Sequence, residues 1–249
     1  MKRKFELSSA VLHILAMAFM LSDHIWGTWL VRNDWFTIVG RIAFPIFAFM
    51  IVEGFFHTHD LKKYMLRMLG FAMISEIPFD LMYAGTPLYL GHQNVMWTFL
   101  ISLGVLWVVD TLRKKGKWWL TVLVGILVTA AAWVLSLMTM LDFGEIGVIT
   151  VMIFYVFRGR KWWCYVGQFL AMYWLNVEVM GGLCYIVNIF GHEFELVQQG
   201  FALLALIPIW LYRGKQGYHK KWFQYFCYAF YPAHALVLFL IKTVLTKLA

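Results

Sequence analysis

Residues 118–140 read WWLTVLVGILVTAAAWVLSLMTM, a run without one ionisable side chain, and Arg113, Lys114, Lys115 and Lys117 stand just before it. A bilayer core about 30 Å thick is crossed by about 20 apolar residues in a helix, so this stretch is long enough to span one. Its basic prefix marks the end that stays on the cytoplasmic side. The rest of the chain has the same character. Of 249 residues, 62% are hydrophobic and 14% charged, with a mean hydropathy of +0.72. A soluble domain is about 45–50% apolar and about 25% charged, so a soluble globular enzyme, a disordered chain and a secreted disulfide scaffold are all excluded. Cys164, Cys184 and Cys227 are scattered through apolar runs and fit no metal or redox spacing, and no metal site is expected.

Working outward from 118–140, eight further apolar runs stand at 8–30, 35–56, 62–83, 94–112, 143–157, 162–183, 196–212 and 222–243. They predict an all-α, polytopic membrane helix bundle of about nine spans, forming one domain over residues 1–249. The first run follows Lys2, Arg3 and Lys4. It is too long for a signal peptide and carries Asp23 and His24, so it is expected to remain as a span. With the N-terminus in the cytoplasm and the C-terminus outside, seventeen of the 21 Lys and Arg residues fall in cytoplasmic segments. Only Arg32, Lys242 and Lys247 fall outside, and Arg41 lies within a span. Topology therefore accounts for the +8 charge, and no nucleic-acid partner is expected.

An ionisable group in hydrocarbon costs about 2.5–3.5 kcal/mol on insertion scales, so each one within a span needs a partner or a purpose. At 1.5 Å per residue, Asp23, His24, Arg41 and Glu76 all lie about 9–10 Å below the outer surface, on three consecutive spans. Asp23 and His24 are adjacent, hence about 100° apart on a helix. Asp23 is expected to pair with Arg41, and Glu76 is left as a possible partner for His24. Pro45 deprives the Arg41 carbonyl of its helix bond, and Pro78 follows Glu76 closely. His92, Gln93, Asn94 and Thr98 open the fourth span, while Asp80, Asp142, Glu145 and Glu178 also lie in the outer half. His234 sits near mid-membrane in the last span, beside Pro232. At the inner end, Glu53 is followed by His57 and His59, and Lys63 and Arg67 stand at i, i+4 on one helical face. That basic edge suits a polyphosphate ligand.

The string Ser22-Asp23-His24-Ile25 resembles the TraX family, named for N-terminal acetylation of conjugative pilin. Further matching blocks are Gly40-Arg41-Ile42-Ala43-Phe44-Pro45-Ile46-Phe47-Ala48-Phe49, Glu53-Gly54, Tyr64 through Arg67, Ser75-Glu76-Ile77-Pro78-Phe79, Asn94-Val95 with Thr98, and Tyr231-Pro232-Ala233-His234. They cover most of residues 10–105 and a stretch near 225–240. Between about 110 and 220 only hydrophobicity is legible.

The resemblance implies an acyltransferase of the bacterial cytoplasmic membrane. It would take an acetyl group from cytoplasmic acetyl-CoA and pass it to an amine or hydroxyl at the outer face. The acceptor would be an exported protein, peptide or glycan, with a pilin-like N-terminal amine as first guess. Carried over to this chain, His24 is the catalytic base, with Asp23, Arg41 and Glu76 in support. Asn94, Thr98, His234 and Glu53 are substrate-binding candidates, and Lys63 and Arg67 are candidates for the CoA phosphates. Imidazole, with an unperturbed pKa of about 6.5, suits the proton transfer such a reaction needs. Buried charges beside broken helices also mark ion-coupled transporters, which is the alternative function. The odd span number and lack of a visible repeat count against it.

Overall fold

In a computed structural model, which describes residues 6–144, 146–189, 191–218 and 220–248, the chain forms a helical bundle with one β-hairpin. Lys2, Arg3, Lys4 and Glu145 lie outside the described residues. Helix α1 (Ser9–Thr28) starts where the Ser8 hydroxyl accepts from the Val11 N–H, an N-cap that satisfies one orphan donor. The second expected span divides into α2 (Trp35–Gly40) and α3 (Ala43–His57), with the break at Arg41 and Ile42. Pro45 explains its position, because a residue without an N–H cannot bond the carbonyl four places back. Helix α4 (Leu61–Ala84) starts on the Asp60 side chain, tolerates Pro78 inside, and stops at Gly85 with φ +75°.

Helices α5 (Val95–Lys114) and α6 (Trp118–Met138) match the expected fourth and fifth spans closely. On α6 only Gly125, Ala132 and Ser136 are buried, while Val122, Leu123, Ile126 and Leu127 are exposed, as a lipid-facing helix requires. By contrast α3 buries nine residues, from Ala43 to Phe55, and forms the centre of the core.

The second half departs from nine uniform spans. Helix α7 (Gly147–Val156) has 10 residues, a length of about 15 Å and half a bilayer core. Helix α8 (Trp162–Tyr173) continues as a π-helix over Trp174–Met180, where Gln199 Nε2 donates to Asn176 Oδ1 at 3.0 Å. The expected seventh and eighth runs meet in a hairpin of β1 (Cys184–Ile189) and β2 (His192–Val197), antiparallel with Cys184 opposite Val197. Gly181 and Gly182 both have positive φ and end the helical path. A 3-10 segment (Gln198–Ala205), α9 (Leu206–Leu211) and the long α10 (Lys221–Leu248) complete the chain. Among the described residues, five stretches are long and apolar enough to cross a membrane: α1, α2 with α3, α5, α6 and α10. The protein is therefore a membrane protein with an all-α bundle.

Tie points gather the basic segments at one end. Arg158, after α7, donates to Glu53 Oε1 near the end of α3 at 2.8 Å. Asp110 accepts from Tyr155, Arg113 and Lys114 at 2.8–3.0 Å. The loop after α9 folds over the start of α1, with Leu7 N donating to Leu211 O at 3.1 Å and Ser9 N to Lys215 O at 2.8 Å. Lys215 also pairs with Glu6 at 2.5 Å, and that hydrogen bond chiefly holds the Glu6 carboxyl below its ordinary value, with Arg213 and Arg160 adding to the effect. At the opposite end the loop before α5 pairs with the loop after α6, Gln93 N to Met140 O at 2.9 Å and Asp142 N to Gln93 O at 2.8 Å.

Candidate functional site

Asp23 points from α1 toward the break between α2 and α3. Its Oδ1 and Oδ2 accept from Arg41 Nη2 at 2.5 and 2.6 Å, and Oδ1 also accepts from the Thr37 hydroxyl at 2.8 Å. Thr37 and Arg41 reach the same carboxylate because i, i+4 positions share a helix face. Gly40 permits the approach, since a Cβ there would overlap the Asp23 side chain. The expected Asp23–Arg41 pair is present. It keeps two charges in the bundle by satisfying them mutually.

His24 has a different partner from the one considered. Its Nδ1 lies 2.6 Å from Nε2 of His234 on α10, and Nδ1 of His234 lies 2.8 Å from the Phe230 carbonyl oxygen. A carbonyl can only accept, so His234 carries its proton on Nδ1. With both rings neutral, His234 Nε2 then accepts from His24 Nδ1–H. His24 Nε2 is left with its lone pair and with no hydrogen-bond partner among the described residues. That is the tautomer a base requires.

Glu76 is committed elsewhere. It accepts from the Asn94 backbone N–H at 3.3 Å, from Trp97 Nε1 at 2.7 Å and from the Asn94 side-chain amide. Asn94 also donates to the Ala72 carbonyl at 2.9 Å and caps α5 through the Met96 N–H. The pair therefore fastens α4 to the start of α5, and the expected Glu76–His24 contact does not form. Thr98 is buried and donates to the Asp142 carbonyl at 2.6 Å, a bond that holds the loop after α6.

His24 and Asp23 line a cavity of about 30 Å³ together with Asp142, Tyr231 and a ring stack in which Phe44 lies 4.1 Å from Phe143 and 5.6 Å from Phe99. Arg41 is not on its wall; it stands behind Asp23. Two lining groups escaped the sequence reading. Asp142, 3.4 Å from His92, was read only as an outer-half carboxylate. In the sequence, Tyr231 stands out only as part of the motif ending in His234. It is 4% exposed, and its hydroxyl lies beside the Val95 N–H without a well-aligned hydrogen bond. A buried hydroxyl without a well-aligned partner costs about 1–3 kcal/mol, so this group has hydrogen-bonding capacity to spare on the chamber wall.

Glu53, Lys63 and Arg67 are not part of this chamber. Glu53 is bound to Arg158, and Lys63 and Arg67 are exposed on α4, with Lys63 3.3 Å from Asp60.

The profile of the family described as TraX protein matches residues 8–242. The chain belongs to the TraX family. That match includes every residue of the chamber as well as the stretch from 110 to 220, where the sequence alone showed only hydrophobicity. Among curated proteins, the chain is similar to a probable fimbrial assembly protein FimC, serogroup H1, of Dichelobacter nodosus. The two are 32% identical over 114 residues, which is 41% of this chain and 47% of that protein. It is also similar to protein TraX of Escherichia coli, 30% identical over 99 residues, 39% of this chain and 38% of that protein. The alignments thus span less than half the length of either relative. No solved structure matches.

Proposed function

We propose that this TraX-family protein is a multi-pass acyltransferase of the bacterial inner membrane. In this reading its basic end faces the cytoplasm. It moves an acetyl group from acetyl-CoA to an amine or hydroxyl of an exported protein, peptide or glycan. The observation that carries the reading is the His24–His234 hydrogen bond, which leaves an unprotonated nitrogen on a residue lining a chamber within the bundle. The names of the relatives, one a fimbrial assembly protein, favour an exported polypeptide such as a pilin as acceptor.

The chain's own groups divide the work. His24 Nε2 takes the proton from the acceptor N–H or O–H as that atom attacks the acetyl carbonyl carbon. The Tyr231 hydroxyl donates to the oxygen that becomes negative. When the C–S bond breaks, the His24 imidazolium returns its proton to the thiolate. A C–N or C–O bond has then replaced the thioester, and His24 is neutral again. His234 is a positioning residue: it fixes the His24 tautomer as an orienting carboxylate does in a hydrolase triad, without adding a charge.

The test is acetyl-CoA turnover by purified protein in proteoliposomes, with mass spectrometry of exported polypeptides and glycans for a gain of about 42 Da, one acetyl group. His24→Ala should lower turnover at least about 100-fold while the protein remains folded. Turnover that survives this substitution removes His24 as base. Solute accumulation in sealed vesicles without any thioester would return the transporter reading.

A further inference from the structure

The chamber around His24 has a neighbour. A second cavity, of about 40 Å³, is lined by His13, Met17, Met20, Phe47, Phe230 and Tyr231 among others, and its wall is predominantly apolar. Met20, Phe47 and Tyr231 line both cavities, so the two abut. On α1 the relevant residues are His13, Met17, Met20 and His24, spaced 4, 3 and 4 apart. That spacing keeps them on one face of the helix. The two cavities thus follow a single stripe of α1, running from its first turns to the reactive histidine.

At the start of the stripe, positive charge has collected. The loop that folds over the first turn of α1 brings Arg213 and Lys215 there, and Arg160 joins them around the single carboxylate of Glu6. Lys215 pairs with that carboxylate, whereas Arg160 and Arg213 form no ion pair among the described residues. One turn further in, His13 bonds the Ser9 carbonyl at 2.9 Å and opens the stripe.

We infer that the acyl donor's pantetheine arm lies along the α1 face His13–Met17–Met20–His24, with its phosphates held by Arg160, Arg213 and Lys215. This rests on the acyl-transfer reading and replaces Lys63 and Arg67 on α4 as the phosphate site with the basic cluster that meets the first turn of α1, the helix whose face lines both cavities. Length sets a condition on it. From Ser9, where the basic loop docks, to His24 is about 22 Å at 1.5 Å per residue. An arm of roughly thirteen bonds between phosphate and sulfur spans about 15 Å, taking three bonds as one extended residue of 3.3–3.6 Å, so the Arg and Lys side chains must reach inward over the remaining ~7 Å. Chemistry supports it: the arm is uncharged, whereas the nucleotide it carries is polyanionic. Met17 and Met20, which line the stripe, are flexible enough to move aside as the arm enters.

The experiment compares two donors on the full chain in proteoliposomes: acetyl-CoA, and the acetyl thioester of N-acetylcysteamine, which lacks the nucleotide. Arg160→Gln with Arg213→Gln should raise KM for acetyl-CoA about tenfold more than KM for the short thioester, the scale of one lost charge-assisted hydrogen bond. Met17→Trp, which fills the stripe, should lower kcat/KM for both donors about 100-fold. Met17→Leu, of similar volume, should restore it and so separates blockage from misfolding. The inference is overturned if Met17→Trp folds and turns over both donors normally, as it would were the cavity a lipid-tail pocket. It is overturned equally if Lys63→Gln with Arg67→Gln raises the KM for acetyl-CoA and the Arg160/Arg213 pair does not. Wild-type protein inert toward both donors would instead remove the acyl-transfer reading itself.

Discussion

Two arginine–carboxylate pairs sit at opposite ends of the α2–α3 span, and they differ in what surrounds them. Arg41–Asp23 closes at 2.5 Å with side chains 17% and 20% exposed, and its Asp23 lines the chamber that also holds the Tyr231 hydroxyl. Arg158–Glu53 closes at 2.8 Å with Arg158 37% exposed and lying 4.1 Å over the Phe56 ring, with Arg160 also near Tyr212. The first pair belongs to a set of groups that have few alternatives. The second sits where water and neighbouring charges can substitute for either partner. Identical chemistry therefore sits in two environments, confined at one end and open to substitutes at the other.

The sharpest test of that contrast is Tyr231→Phe. Loss of an oxyanion donor should lower turnover about 100-fold. Thermal stability in detergent should hold or rise, because the hydroxyl removed has no well-aligned partner to lose. A stability loss with unchanged turnover would make Tyr231 an ordinary packing residue. Next in size, His234→Ala should slow turnover about tenfold to 100-fold and alter the pH–rate profile, while His234→Gln, which keeps an acceptor for His24 Nδ1–H, should recover much of the rate. Equal behaviour of the two variants would show that His234 does not act through His24.

The remaining predictions concern the pairs themselves. Asp23→Ala strands Arg41 inside the bundle and should cost about 1.5–3 kcal/mol of stability, read by denaturation in mild detergent. The double variant Asp23→Leu/Arg41→Met should be less destabilised than Asp23→Ala, because removing both charges leaves none unpaired. Arg158→Gln should cost less than about 1 kcal/mol, as partly exposed pairs do. Should Arg158→Gln prove as damaging as Asp23→Ala, the contrast between the two ends fails.

How much of this was legible in the sequence differs by kind of information. The Asp23–Arg41 pair was accessible because two constraints met: both residues lie at one depth, and adjacency to His24 turns Asp23 onto another face. The same depth argument misled for Glu76, because equal depth does not specify azimuth and the start of α5 supplies that carboxylate with three donors. The His24–His234 contact joins residues 210 apart in the chain. Helical period says which face a residue occupies, but not which helix packs against that face. The hairpin at 184–197 was missed because its strands are short, the first apolar and the second charged, and they sit where a span was already expected to end.

By itself the sequence determined the solvent, the ends and the cost. Its hydrophobic runs require a bilayer, its basic residues mark one end, and its few internal charges had to be paired, since each is expensive alone in hydrocarbon. These are one-dimensional properties, set by composition and spacing. Tertiary structure alone decided which groups meet: that His24 faces His234, that the Tyr231 hydroxyl lies on the same chamber wall, and that one stripe of α1 lines two abutting cavities. Those depend on how α1 packs against α3 and α10, and α3 against α5. Packing is a property of side-chain shape across distant segments, which no local pattern encodes.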